Sequence, residues 1–195
     1  MTHTGRLLSI QTGKVRPLRV GERTLMSAIG KSPIDGAVTV GPLGLAGDEQ
    51  ADLSVHGGLS KAVYALPSEH LAWWQQQRQA RGVTLFEETL APGYLGENLS
   101  LQGLLEHEVF IGDILQFEEV TLRVTQPREP CSKFNAVMGY AQAAKDMVQS
   151  SRSGFYLAVD VAGLLRAGES FELLPGPRAT SIAQALGHKA RKHLS

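Results

Sequence analysis

The sequence is heavily punctuated. Short β-branched or apolar runs recur along it, and glycine, proline or an acidic turn residue closes nearly every one. "GRLLSIQT" (5–12), "DGAVTV" (35–40), "KAVYAL" (61–66), "EVFIG" (108–112), "ILQF" (114–117), "VTLRVTQ" (120–126) and "FYLAVDV" (155–161) read as strands, and "SFELL" (170–174) as the last of them. In 155–161 the side chains alternate, with Phe155, Leu157, Val159 and Val161 on one face and Tyr156, Ala158 and Asp160 on the other. Helical spacing is confined to fewer segments. Residues 68–81 carry Ser68 as N-cap, Glu69 in the first turn and Gly82 as a stop, with Trp73 and Trp74 set to pack the helix on a sheet. Residues 135–150 place Val137, Met138, Ala141, Ala144 and Val148 on one face, and a short helix over about 179–193 follows the break "PGPR". Many short strands and few helices define a mainly β (β+α) chain: a barrel decorated by a few helices. The expected division is a barrel domain over 1–175 and a short helical tail over 176–195. "IGDILQF" (111–117) and "AGESFELL" (167–174) share a Gly-acid step, read as two similar turns entering barrel strands.

A chain of 195 residues can bury a core of its own. Its 19 basic and 19 acidic residues cancel, which removes the electrostatic basis for a dedicated nucleic-acid polymer or anionic-membrane binder. The N-terminus lacks the basic start and apolar core of a secretory signal, and no apolar run approaches the ~18 residues of a membrane span. One cysteine makes no internal disulfide, which fits a reducing compartment; the expected location is the cytoplasm.

That cysteine, Cys131, stands in "QPREPCSKF" (126–134), between Pro127 and Pro130 on one side and Lys133 on the other, with Arg128 nearby. A cysteine thiol titrates near ~8.5, and neighbouring cations favour the thiolate, which is both a nucleophile and a soft metal ligand. The prolines restrict the backbone and so hold the sulfur in a fixed direction. The alternative is a buried, inert cysteine. Three further turns carry polar chemistry. "DLSVHGGLSKAVYAL" (52–66) offers His56, backbone N–H groups at Gly57 and Gly58 that can cradle an anion, and Lys61 as a point charge; the plainer reading is a glycine turn with a hydrogen-bonding histidine. "GYLGENLSLQGL" (93–104) offers Glu97 and Asn98 to a polar heterocycle, or else an Asx-type turn. "SRSGFY" (151–156) offers Arg152 as a phosphate fork, or as a helix-terminal cation. HExxH, CxxC, GxGxxG and GxxxxGK[ST] patterns are absent, so a metal would have to arrive inside an organic cofactor.

Taken together and in order, "DLSVHGGLSKAVYALPSEHLAWW", "GENLSLQGL…VFIGD", "TQPREPCSKF" and "SGFYLAVDVAGLLRAGESFELL" resemble the MOSC domain family, named for the C-terminal domain of molybdenum cofactor sulfurase, and within it the stand-alone YiiM-like branch. The resemblance runs from about residue 5 to about 190. It implies a β-barrel that binds the molybdenum cofactor, Mo-molybdopterin, through its pterin dithiolene. It also implies that Cys131 is the protein ligand to molybdenum, as in the family's reductase members. The activity it suggests is reduction of N-hydroxylated compounds, such as N-hydroxylated purine bases, amidoximes and hydroxylamines. On this reading His56, Gly57, Gly58, Lys61, Glu97, Asn98, Arg128, Lys133 and Arg152 face the pterin or its phosphate, and His56 is also the candidate proton donor. Electrons would come from a separate flavin or iron–sulfur reductase, and a homodimer is an open assembly. That branch carries a three-helix C-terminal extension, of which one helix is legible here; Lys189, Arg191, Lys192 and His193 read as its solvated end. Two other functions stay open: a sulfur carrier or cofactor-handling protein using a Cys131 persulfide, and a non-catalytic barrel that binds a small ligand.

Overall fold

The computed structural model describes residues 3–51, 57–84 and 88–192. In chain order the strands are β1 (His3–Thr12), β2 (Arg16–Val20), β3 (Arg23–Ser27), β4 (Ser32–Pro33), β5 (Ala37–Gly41), β6 (Gly44–Leu45), β7 (Val63–Pro67), β8 (Leu99–Gln102), β9 (Ile114–Gln116), β10 (Thr121–Pro127), β11 (Phe155–Val161), β12 (Gly163–Arg166) and β13 (Ser170–Leu174). The helices are α1 (His70–Ala80), α2 (Ser132–Met138), α3 (Ala143–Ser150) and α4 (Ile182–Lys192).

Seven strands close into a barrel in the order β1-β13-β9-β10-β11-β7-β8 and back to β1, with β4 attached at one end of β1. Every barrel pairing is antiparallel except β7 with β8. Closure leaves the barrel without a free edge. Alternation fills it: Val63 and Ala65 of β7, Leu122 and Val124 of β10, Phe155 and Leu157 of β11, and Phe171 and Leu173 of β13 all enter one core. A register shift between Leu7 and Ser9 sends both Leu7 and Ile10 inward, three residues apart, as a bulge does.

The alternate residues of β7 face outward into a second cluster. Tyr64 and Leu66 pack there with Trp74 of α1, Phe134 and Met138 of α2, and Ala143 and Met147 of α3. The Trp74 ring meets Phe134 edge-on at 5.2 Å. Arg78 is buried and donates to the Met138 carbonyl (2.9 Å) and to Glu88 (3.2 Å), so it ties α1 to the end of α2. Ile182 of α4 enters the barrel core, and its N–H bonds the Val109 carbonyl at 2.8 Å.

Three local expectations are corrected. "EVFIG" forms a turn with an isolated bridge from Phe110 to Ser181, because Asp113 accepts the Phe110 N–H (3.0 Å) and bends the chain. The helix over 135–150 is two helices: α2 starts earlier, at Ser132, and ends where Gly139 turns left-handed (φ 80°), after which Asn135 Oδ1 accepts the Ala144 N–H at 2.7 Å. Ser68 does not cap α1; the N-cap is Glu69, whose carboxylate instead accepts the Gly103 N–H at 2.8 Å. The β2–β3 hairpin and the strands β8 and β12 lay in stretches not read as strands. The Gly-acid echo has a structural counterpart, since the strands that follow its two turns, β9 and β13, pair with each other.

Candidate functional site: a basic cavity beside Cys131

Outside the barrel wall, where β7 and β11 present Tyr64 and Tyr156, lies a cavity of about 630 Å³ including its open mouth. Three other pieces of chain complete it: the end of the β2–β3 hairpin with the loop after it (Ser27, Ala28, Ile29, Lys31), the loop after β6 (Asp48 to Ala51), and the segment from β10 into α2 (Arg128, Cys131, Lys133). Gly57, Lys61, Leu95, Gly96 and Asn98 line it as well.

Cys131 is half-buried and extended (φ −137°, ψ 170°), the residue from which α2 starts. Arg128 is 4% exposed. Its guanidinium lies over the rings of Phe134 (4.7 Å) and Tyr64 (5.8 Å), and one N–H reaches the Met147 sulfur at 3.5 Å. Among the described residues it has no carboxylate partner. Lys133 donates to the Met26 carbonyl (2.9 Å), which links α2 to the hairpin, and Lys61 Nζ sits 5.8 Å from the centre of the Tyr156 ring. Burial pushes the hydroxyls of Tyr64 and Tyr156 up, against the pull of Arg128, so both phenols stay neutral.

The opposite wall is an ion pair. Lys31 Nζ bonds Asp48 Oδ1, with both side chains 6% exposed. Asp48 is itself fixed, by the Gly13 N–H on Oδ1 (2.8 Å) and by Asn98 Nδ2 on Oδ2 (2.8 Å). Burial lowers the Lys31 pKa, opposed by Asp48 and then by Glu97. The loop carrying Lys31 lies against Gly93, where φ is 89° and an added Cβ would stand 2.6 Å from the Lys31 carbonyl oxygen. Glu97 is fully buried behind this wall. Its Oε1 accepts the Gly93 N–H (2.6 Å), its Oε2 has no partner among the described residues, and burial pushes its carboxyl up to about 7.

Of the residues singled out in the sequence, the cavity gathers Cys131, Arg128, Lys133, Lys61, Gly57 and Asn98. Asn98 is already committed: Oδ1 accepts the Tyr64 N–H (3.1 Å), and Nδ2 donates to the Gln11 carbonyl (3.2 Å) and to Asp48. It braces the wall. Gly58, Glu97 and Arg152 are not among the lining residues; Arg152 lies over the Trp73 ring at 4.7 Å. His56 lies outside the described residues. Sequence reasoning missed Lys31, Asp48 and Tyr64. The alternation of "FYLAVDV" already set Tyr156 opposite the apolar face, but Lys31, in "IGKSP", carries no local signal at all.

The cavity sets cationic side chains, Arg128, Lys133 and Lys61, beside a thiol, a lining that can take an anion. Among the described residues no cluster of three or more His, Cys, Asp or Glu could hold a metal ion, and the soft donor that lines the cavity is the Cys131 sulfur. A cofactor that brings its own metal ligands and a phosphate fits those residues. In such a cofactor's site the thiol would supply one bond, and Arg128, which is buried and has no carboxylate partner among the described residues, would meet the anion.

This barrel and its cysteine cavity define a class: the chain belongs to the MOSC domain family, whose profile matches residues 52–172. Domains of this family are associated with the molybdenum cofactor. The chain is 34% identical over 178 residues to protein YiiM of Escherichia coli (strain K12), covering 91% of this chain and 76% of that one. A protein of Gibberella moniliformis (strain M3125 / FGSC 7600) named "Reductase" is 31% identical, with 89% of this chain matching 30% of that one. The crystal structure of YiiM from Geobacillus stearothermophilus superposes with a TM-score of 0.75 at 30% identity, over 98% of this chain and 86% of the other. No described helix is long and apolar enough to cross a membrane.

Proposed function

We propose that this protein is a molybdenum-cofactor-dependent reductase of N-hydroxylated compounds, with Cys131 as the protein ligand to the metal. The observation that carries the reading is the pairing, in one cavity, of a half-buried thiol with a buried Arg128 that has no carboxylate partner among the described residues. A buried guanidinium costs several kcal/mol unless an anion meets it, so the site is built for one. The likeness to a protein named "Reductase" supports the choice of reaction class.

When bound, the cofactor supplies the two-electron exchange at the N–O bond. The chain does the rest. Cys131 holds the metal, Arg128 and Lys133 hold the cofactor's phosphate, and Lys61 adds positive charge at the mouth. Tyr64 is anchored by its hydroxyl on the Ser153 carbonyl (2.7 Å), which keeps that wall rigid. Electrons come from a flavin or iron–sulfur centre outside this barrel, since residues 1–195 carry no nicotinamide fingerprint and one cysteine cannot hold an iron–sulfur cluster.

The test is metal and pterin content of protein purified from cells that make the cofactor, for wild type and Cys131→Ala. Stoichiometric molybdenum in wild type that disappears in the variant is the expected result, together with consumption of an N-hydroxylated purine by wild type and a chemical reductant. Pterin without metal, accompanied by a persulfide on Cys131, would replace this reading with sulfur handling.

A further inference from the structure

The part of the cavity lining formed by Lys31 and Asp48 buries a charged pair at considerable cost. Lys31 is held by one acceptor, Asp48. Asp48 cannot swing away, because Gly13 N–H and Asn98 Nδ2 occupy both of its oxygens. An ammonium has three donors, and among the described residues Asp48 is the only hydrogen-bond partner of this one. Counted over the described residues, two N–H groups remain for whatever fills the cavity that Lys31 and Cys131 both line. The described charged and titratable groups around it are Asp48 and Glu49 on the loop after β6, Glu97 behind the wall, and the cavity-lining Lys61, Tyr64, Arg128, Cys131, Lys133 and Tyr156.

We propose that Lys31 is the proton donor to the departing hydroxyl in reductive N–O cleavage, with Asp48 as its positioning residue. This rests on the reductase reading above. The balance is R–NHOH + 2 e⁻ + 2 H⁺ → R–NH₂ + H₂O, with the electrons supplied by the flavin or iron–sulfur donor. The N–O bond breaks, Lys31 Nζ gives one proton to the leaving oxygen, water supplies the second to nitrogen, and solvent at the cavity mouth reprotonates the amine. A lysine whose pKa falls with burial is better suited to this than an exposed one.

The experiment compares wild type, Lys31→Gln and Lys31→Arg as cofactor-loaded proteins, with an N-hydroxylated purine and a chemical reductant. Arginine keeps the charge and the pair with Asp48 but gives up no proton near neutral pH, so it separates proton delivery from structural support. Both variants should keep wild-type molybdenum content and a KM within about threefold, while kcat falls about 100-fold or more. The basic limb of the wild-type kcat–pH profile should vanish in Lys31→Arg. Independently of turnover, NMR of the wild-type lysine ammonium groups should show a resonance, missing in Lys31→Arg, that titrates below the ordinary ~10.5. Wild-type kcat in Lys31→Arg, or a Lys31 titration at the ordinary value, overturns the proposal. So does loss of molybdenum in Lys31→Gln, which would make Lys31 a cofactor-holding residue. Metal-loaded wild type that reduces nothing overturns the reductase reading and takes this one with it.

Discussion

The guanidinium of Arg128 lies 4.7 Å from the centre of the Phe134 ring, so the cation beside Cys131 rests on an aromatic face. Ring faces attract a cation but leave its hydrogen-bond donors open. Arg128 is therefore fixed in place and still able to bind.

Replacing Arg128 by methionine should separate binding from stability. The change removes a buried charge that lacks a carboxylate partner among the described residues, and an apolar side chain of similar length packs in its place. We expect an unchanged or raised Tm, with molybdenum and pterin in the purified protein reduced at least about tenfold. A large fall in Tm with undiminished cofactor would sink the assignment.

Asn98→Ala should destabilise the protein by at least about 2 kcal/mol, because it strips partners from the buried Tyr64 N–H, the Gln11 carbonyl and Asp48 together. Urea denaturation measures this. A loss below about 1 kcal/mol would mean that water replaces the amide.

Glu97 makes stability depend on pH in a direction opposite to a salt-bridged carboxylate. Its folded pKa, about 7, lies above the ordinary value of 4.5, so between these values the folded state binds the proton more tightly than the unfolded chain. Its favourable contribution is complete below about pH 4.5 and is lost as pH rises through 7. Glu97→Gln should thus gain stability relative to wild type across that window, by up to about 3 kcal/mol. Denaturation of both proteins from pH 4.5 to 8 checks it; a constant difference would show that Glu97 titrates normally.

Two glycine substitutions should differ in cost. Gly139→Ala meets only the left-handed backbone penalty of about 1–2 kcal/mol, since its nearest contact is Val83 Cβ at 3.5 Å. Gly93→Ala adds to that penalty a contact of 2.6 Å with the Lys31 carbonyl oxygen, and backbone has to move. We expect Gly93→Ala to be the more damaging in urea, and to lower turnover even where the protein stays folded. Equal losses would show that the Lys31 loop yields freely.

The residues themselves determined the barrel strands, because inward and outward positions alternate within each short run and water enforces that pattern locally. Six of the seven barrel strands, β1, β7, β9, β10, β11 and β13, were legible this way, as was β5 outside the barrel, while β8 was not; Tyr156 was legible too, as the outward residue between Phe155 and Leu157. Cys131, Arg128 and Lys133 were legible as a cluster because they are neighbours along the chain. What only the tertiary structure decided was everything joined across distance. Asn98 and Lys31 each meet Asp48 through contacts between loops far apart in sequence, and those contacts exist only in the closed barrel, where β7 and β8 pair in parallel. Burial decided the rest. A lysine, an aspartate and a glutamate look like ordinary surface charges in a sequence, and only the packing of other segments over them removes the water that would make them so.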